Sequence, residues 1–173
     1  MRRFSRRKRK IKKALKKIKA IWIIKAILYG LGIYSFFYST REYATTLISF
    51  STIVWIGIIT GIVASILVER QIKYYLFSII LLGSLCTALF FKVNRRFVHS
   101  QENKLKVRIL SKVVKSAKIE HSRVTIEYND YTRDIEIDNL QEYRMESAEF
   151  IVLTVRKGGL GYNIITYREL VDR

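Results

Sequence analysis

ATTLISFSTIVWIGIITGIVASILV, residues 44–68, runs for 25 residues without a charged side chain. A helix crossing the ~30 Å hydrocarbon core of a bilayer needs about 20 predominantly apolar residues, and this stretch exceeds that length. A helix that is apolar on every face buries itself in a large core or in a membrane. The segment therefore reads as a transmembrane helix, and the rest of the fold is arranged around it. Gly57, Gly61 and Ser65 recur every four residues along it, a small-residue stripe that admits close approach of another helix. The stripe is a candidate packing surface, within the chain or between copies.

Two further apolar segments flank this one. Residues 74–93 begin with Tyr74 and Tyr75 and end with Phe90, Phe91 and Lys92, aromatic and basic ends that suit the two interfaces. Residues 20–39 form the third candidate, with Lys25 near one end. A lysine held at mid-bilayer would cost about 2.5–3.5 kcal/mol, so Lys25 is expected to snorkel its ammonium to the interface. SFFYST, residues 35–40, is too bulky for a signal-peptidase site, and an uncleaved anchor is expected. No acid lies within the three spans, which gives little support to a proton or ion pathway.

The charge is concentrated at the N-terminus. Of the net +18, a large share comes from Arg2, Arg3, Arg6, Arg7, Lys8, Arg9, Lys10, Lys12, Lys13, Lys16, Lys17 and Lys19, with no acid among the first 19 residues. Ile11, Leu15, Ile18 and Trp22 follow at spacings of 4, 3 and 4, one stripe of a helix. The expected partner of this arm is the lipid bilayer, with anionic headgroups contributing about 1 kcal/mol per basic residue. The arm equally serves as a topology signal holding the N-terminus in the cytoplasm. A polybasic arm also neutralises phosphates, but no base-reading module accompanies it, so nucleic acid is not the expected partner.

Beyond residue 93 the period changes. Leu105, Val107 and Ile109 alternate with Lys104, Lys106 and Arg108, as in a half-buried strand. RVTIEY (123–128) and YTRDIEI (131–137) flank Asn129-Asp130, a pair suited to a two-residue hairpin turn with positive φ. FIVLTV (150–155), the turn at Lys157-Gly158-Gly159 and YNIIT (162–166) predict a second hairpin, and the final YRELVDR a single helical turn. The predicted fold is an α+β membrane protein: a polybasic amphipathic segment (1–19), a transmembrane region (20–93, with spans 20–39, 44–68 and 74–93) and a small antiparallel β-domain of four or five strands (94–173).

The residues offer little catalytic chemistry. Glu127, Asp134, Glu136 and Asp138 alternate with isoleucines and read as the solvent face of a hairpin. His99 and His121 lack companions at metal-ligand spacing, and Ser100 beside His99 makes no triad. Cys86 is alone, so no disulfide framework is possible within one chain. Lys157-Gly-Gly-Leu-Gly161 is followed by a strand-like run, whereas a phosphate-cradling loop opens a helix. No catalytic residue, metal site, cofactor or small-molecule substrate is expected.

VTIEYNDYTRDIEI (124–137) and VLTVRKGGLGYNII (152–165) resemble the tails of small, uncharacterised bacterial polytopic membrane proteins with a short C-terminal β-rich domain. The resemblance covers less than half of the chain and implies no activity. A more distant likeness, to two-helix, β-rich membrane effectors of phage defence, is broken by the third span.

The expected role is that of a non-enzymatic membrane protein whose β-domain binds a protein partner. The alternative is a pore-forming or membrane-disrupting effector that oligomerises through Gly57 and Gly61. Three crossings from a cytoplasmic N-terminus would place the β-domain outside the cytoplasm. Lys92, Arg95 and Arg96 pull the other way, and would be satisfied if residues 20–39 lay in the interface. Three crossings is the preferred arrangement.

Overall fold

The computed structural model describes residues 2–68, 74–115 and 121–172, with side chains from residue 21 onward. Three helices come first: α1 (Arg2–Thr45), α2 (Phe50–Val68) and α3 (Tyr75–Arg96). At ~1.5 Å per residue, α1 is about 66 Å long. Residues 21–45 of α1, all of α2 and all of α3 are long and apolar enough to cross a membrane. Their outer surfaces are apolar too, with Phe37, Leu67 and Leu76 among the most exposed side chains.

α3 is the central helix. α2 packs against it antiparallel: Gly57 lies beside Gly83 and Thr87, and Gly61 beside Ile79. α1 packs on it in parallel, from Tyr29 against Ser78 and Gly32 against Leu81 to Glu42 against Arg95. The face α1 turns inward carries Gly32, Ser35, Ser39 and Glu42, all buried, at helical spacings of 3, 4 and 3. These residues are small enough for a helix to approach, or polar enough to bond across the contact. A Cβ on Gly83 would collide with the Gly57 carbonyl, and one on Gly61 with the Ile79 carbonyl.

The apolar stretch beginning at residue 44 is not one helix. α1 continues past residue 39 to Thr45, and Thr46–Leu47 form a two-residue strand, β1. α2 starts only at Phe50, where Ser49 Oγ accepts the Thr52 amide at 3.2 Å as an N-cap. Hydropathy is indifferent to this break because every residue across it is uncharged.

Five more strands follow: β2 (Glu102–Val113), β3 (Arg123–Tyr128), β4 (Tyr131–Glu136), β5 (Phe150–Lys157) and β6 (Asn163–Val171). They form with β1 a six-stranded antiparallel sheet in the order β1-β6-β5-β2-β3-β4. β2 pairs with β5 through Arg108 and with β3 from Ile109 onward, with a register irregularity between Ile109 and Ser111. Such a bulge bends its strand, and the sheet curls around one core that includes Val124, Ile126, Ile135, Ile151 and Leu153. The β3–β4 turn has positive φ at both Asn129 (45°) and Asp130 (65°), the type I′ geometry that matches strand twist. Tyr167 to Val171 of the C-terminal YRELVDR run, predicted as a helical turn, are instead the second half of β6, paired to β5 from Thr154–Tyr167 to Phe150–Val171; Arg173 lies outside the described residues. Pairing with β5 outweighs the weak helical preference of so short a run.

Candidate functional site

The best-defined polar structure is the junction where the sheet meets the helical bundle. α1 ends there, and the last carbonyls of a helix lack intrahelical partners and carry a partial negative charge. No basic residue lies in the last turn of α1. Two arginines from the sheet supply the donors. Arg133 on β4 donates to the carbonyls of Tyr43 and Ile48 and stacks over the Tyr43 ring, 3.7 Å from its centroid. Arg168 on β6 donates to the Glu136 carbonyl at 2.8 Å and reaches the Ala44 carbonyl at 3.5 Å. Arg133 is 4% exposed. Burial pushes both guanidinium pKa values down; Tyr43 and Tyr131 offset this at Arg133, and Glu136 and Asp138 at Arg168.

Arg133 occupies the inward face of β4, in step with Ile135 and Ile137, where an unpaired charge would be costly. The helix terminus and the tyrosine ring make it tolerable. Beside it, the Tyr131 hydroxyl is buried without a hydrogen-bond partner among the described residues. Burial pushes its phenol pKa up to about 12, outweighing the pull of Arg133.

A second attachment joins α3 to the β5–β6 turn. Asn94, fully buried, donates from Nδ2 to the Tyr162 carbonyl at 3.2 Å and accepts the Leu160 amide on Oδ1 at 3.1 Å. Its own carbonyl accepts the Gly159 amide at 2.9 Å. A Cβ on Gly158 would overlap the Asn94 side chain. The glycine-rich run thus serves as a turn seated on a helix end, with Tyr162 edge-on to Phe90 at 5.4 Å. The buried Glu42 carboxylate completes the junction, accepting from Arg95 at 2.7 and 2.9 Å. β1 adds a covalent and hydrogen-bonded link: Thr46 and Leu47 pair with Ile164 and Asn163 of β6, and Leu47 enters the sheet core.

Concavities open around this junction. A polar cleft of about 520 Å³ lies between the α1–α2 connection and the β3–β4 and β5–β6 turns, lined by Ser49, Thr52, Asp130, Tyr131 and Asn163 among others. An apolar groove of about 500 Å³ runs between α1 and α2 with α3 as its floor.

The residues singled out from sequence fall as follows. Gly57, Gly61 and Ser65 lie on α2, the glycines against α3, and Ser65 is fully buried. The backbone of the basic arm belongs to α1, but the side chains of Arg2 through Lys19 lie outside the described residues. Glu127, Asp134, Glu136 and Asp138 are all exposed. His121 meets Glu136 at 3.1 Å, and His99 Nδ1 lies 3.2 Å from the Lys157 carbonyl. No group of histidine, cysteine, aspartate and glutamate side chains that could hold a metal occurs among the described residues. Arg133, Arg168, Asn94 and Glu42 escaped the sequence reading. Arg133 alone left a signal, a charge on the same alternation as Ile135 and Ile137. Comparison of the chain with protein-family models, with curated proteins and with solved structures finds no match.

Proposed function

We propose that this is a multi-pass protein of the cell membrane, its N-terminus cytoplasmic. Its three helices cross the bilayer and present the β-domain, in fixed orientation at the extracytoplasmic face, to a protein partner, with no enzymatic step. The observation that carries this reading is the junction. Arg133 and Arg168 on the end of α1, Asn94 in the β5–β6 turn and β1 in the sheet fasten the domain to the helices at separate points. A recognition surface gains affinity from a preset orientation.

Three crossings, rather than two and an interfacial helix, are favoured by the packing of α1. It runs beside α3 from Tyr29 to Glu42, so the two helices share the same depth. The twelve basic residues of the arm outnumber Lys92, Arg95 and Arg96 at the opposite end and favour retention of the N-terminus in the cytoplasm, where anionic headgroups attract them. Oligomerisation into a pore through Gly57 and Gly61 finds less support, because both glycines already face α3.

Reporter fusions at the two ends test the topology. Alkaline phosphatase after Arg173 should be active, and a fluorescent protein before Met1 should fluoresce; the converse at Arg173 would remove the extracytoplasmic domain. Partner binding is tested with photo-crosslinking residues in the full chain at Leu140 and Tyr143, which are 85% and 75% exposed. A discrete adduct from these sites, absent from a control at Gly30, is expected. Absence of any adduct from these and other exposed sheet positions would sink the partner role.

A further inference from the structure

α1 is far longer than a membrane crossing requires, and the surplus is the polybasic segment. A bilayer takes up ~30 Å of a helix in hydrocarbon, and ~40–45 Å with both headgroup layers. Residues 21–45 are the stretch apolar enough to cross. Residues 2–20 are left on the side away from the sheet, about 28 Å of helix at ~1.5 Å per residue. An arm lying on the headgroups would have to bend where it meets the span. Sharp bends in helices come from proline, from glycine or from a π-bulge. The chain has no proline and no glycine before Gly30, and α1 runs unbroken from Arg2 to Thr45. The arm therefore continues the line of the transmembrane helix and stands away from the bilayer.

Composition changes along this arm. Arg2, Arg3, Arg6, Arg7 and Arg9 surround Lys8, whereas every cation among residues 10–19 is lysine. Ile11, Leu15 and Ile18 belong to the lysine part, and Phe4 is the one apolar residue among residues 2–10. A helix held in an interface needs an apolar face, which residues 2–10 lack. Their main chain lies about 16–28 Å along the axis from residue 21. That is beyond a headgroup layer of ~5–8 Å and a Debye length of ~8 Å, so the surface potential that attracts the lysines has decayed there.

The distal part matches a soluble polyanion. Residues 2–10 hold seven cations in about 12 Å of helix. Double-stranded DNA carries one charge per ~1.7 Å, about seven over the same length. The planar arginine fork pairs with phosphate bidentately, where lysine is only a point charge. We propose that residues 2–10 bind the phosphates of cytoplasmic nucleic acid without sequence preference, tethering it to the inner face of the membrane. The lack of a base-reading module argues against sequence-specific binding and is no obstacle to a contact made with phosphates alone. The proposal rests on the membrane-spanning reading with a cytoplasmic N-terminus.

The full chain in phosphatidylcholine nanodiscs is titrated against two fluorescent 20-base-pair duplexes of unrelated sequence and followed by anisotropy. Both duplexes should bind within three-fold of each other. Both should weaken at least a hundred-fold as salt rises from 50 to 200 mM, as about four phosphate contacts require. R2Q/R3Q/R6Q/R7Q/R9Q should weaken binding at least ten-fold more than K12Q/K13Q/K16Q/K17Q/K19Q, although each removes five charges. Equal losses from the two variants would overturn the distal site. Poly-glutamate bound as tightly as duplex would overturn it in favour of an acidic protein. A nitroxide on Ser5→Cys, with Cys86→Ser, should be open to a water-soluble relaxation agent in phosphatidylglycerol nanodiscs; shielding at headgroup depth would overturn the site in favour of the bilayer. Failure of the underlying reading looks different: alkaline carbonate would extract the chain, or the fluorescent fusion before Met1 would be dark, while duplex binding persisted.

Discussion

Arg133 illustrates how much one residue can decide here. Its guanidinium is buried, carries the donors for two main-chain carbonyls at the end of α1 and β1, and lies over the Tyr43 ring. Replacing it with methionine keeps an unbranched apolar stem, though a shorter one, and removes every donor. Two buried acceptors then lose their partners, at about 1–3 kcal/mol each. Arg133→Met is expected to destabilise the folded chain by ~2–6 kcal/mol, read as a lowered thermal midpoint in detergent; an unchanged midpoint would deny the clamp. Tyr131 beside it sets a pH dependence. With its pKa raised from 10.0 to about 12, the folded chain keeps a proton that the unfolded chain releases. Stability is therefore undiminished below pH 10 and falls as pH rises from about 10 to 12. Tyr131→Phe should flatten that decline while leaving stability at pH 7 unchanged or slightly higher, because an unpaired buried hydroxyl is removed. A decline as steep in the variant would assign the effect to other groups.

At the scale of elements, the helices approach one another closely through small residues. Gly83→Ala should disrupt α2–α3 packing, since its Cβ would strike the Gly57 main chain; a loss of several kcal/mol is expected, about that of overpacking a tight core. Gly30→Ala makes the matching control. Nothing lies within 4 Å of a Cβ there, and alanine is favoured over glycine inside a helix by about 1 kcal/mol, so stability should hold or rise. Equal tolerance of both changes, measured as detergent-resistant folded fraction, would contradict the close approach. The GxxxGxxxS spacing was legible in sequence as a packing signal. Gly83 with Thr87 on the third span offers a similar small-residue surface, but whether the stripe meets it or a second copy stays open until α3 packs antiparallel on α2. The stripe of Gly32, Ser35, Ser39 and Glu42 on α1 was hidden among large apolar neighbours that point outward.

At the scale of the molecule, helices and sheet form one structure. A boundary at residue 94 leaves out β1, Leu47 in the core and the carbonyls that Arg133 and Arg168 hold. A fragment of residues 94–173 is therefore expected to be less stable than the same domain in the full chain. Amide hydrogen exchange should show β4 and β6 opening faster in the fragment, while β2 and β5 keep more of their protection. Matching protection throughout would mean that the bundle is only an anchor.

The sequence by itself determined the parts. Uncharged runs of helical length, a period-2 alternation after residue 100 and the Asn129-Asp130 turn depend on neighbours a few residues apart, so three apolar helices and an antiparallel sheet could be read directly. Tertiary structure alone decided how the parts meet. Thr46 and Leu47 look like more of an apolar span until β6 offers them a ladder. Arg133 shares the alternation of Ile135 and Ile137, but its acceptors lie at the end of α1, some 90 residues earlier. Tyr167 to Val171 become strand because β5 is beside them. Each of these outcomes depends on a partner far away in the chain, where no local pattern can record it.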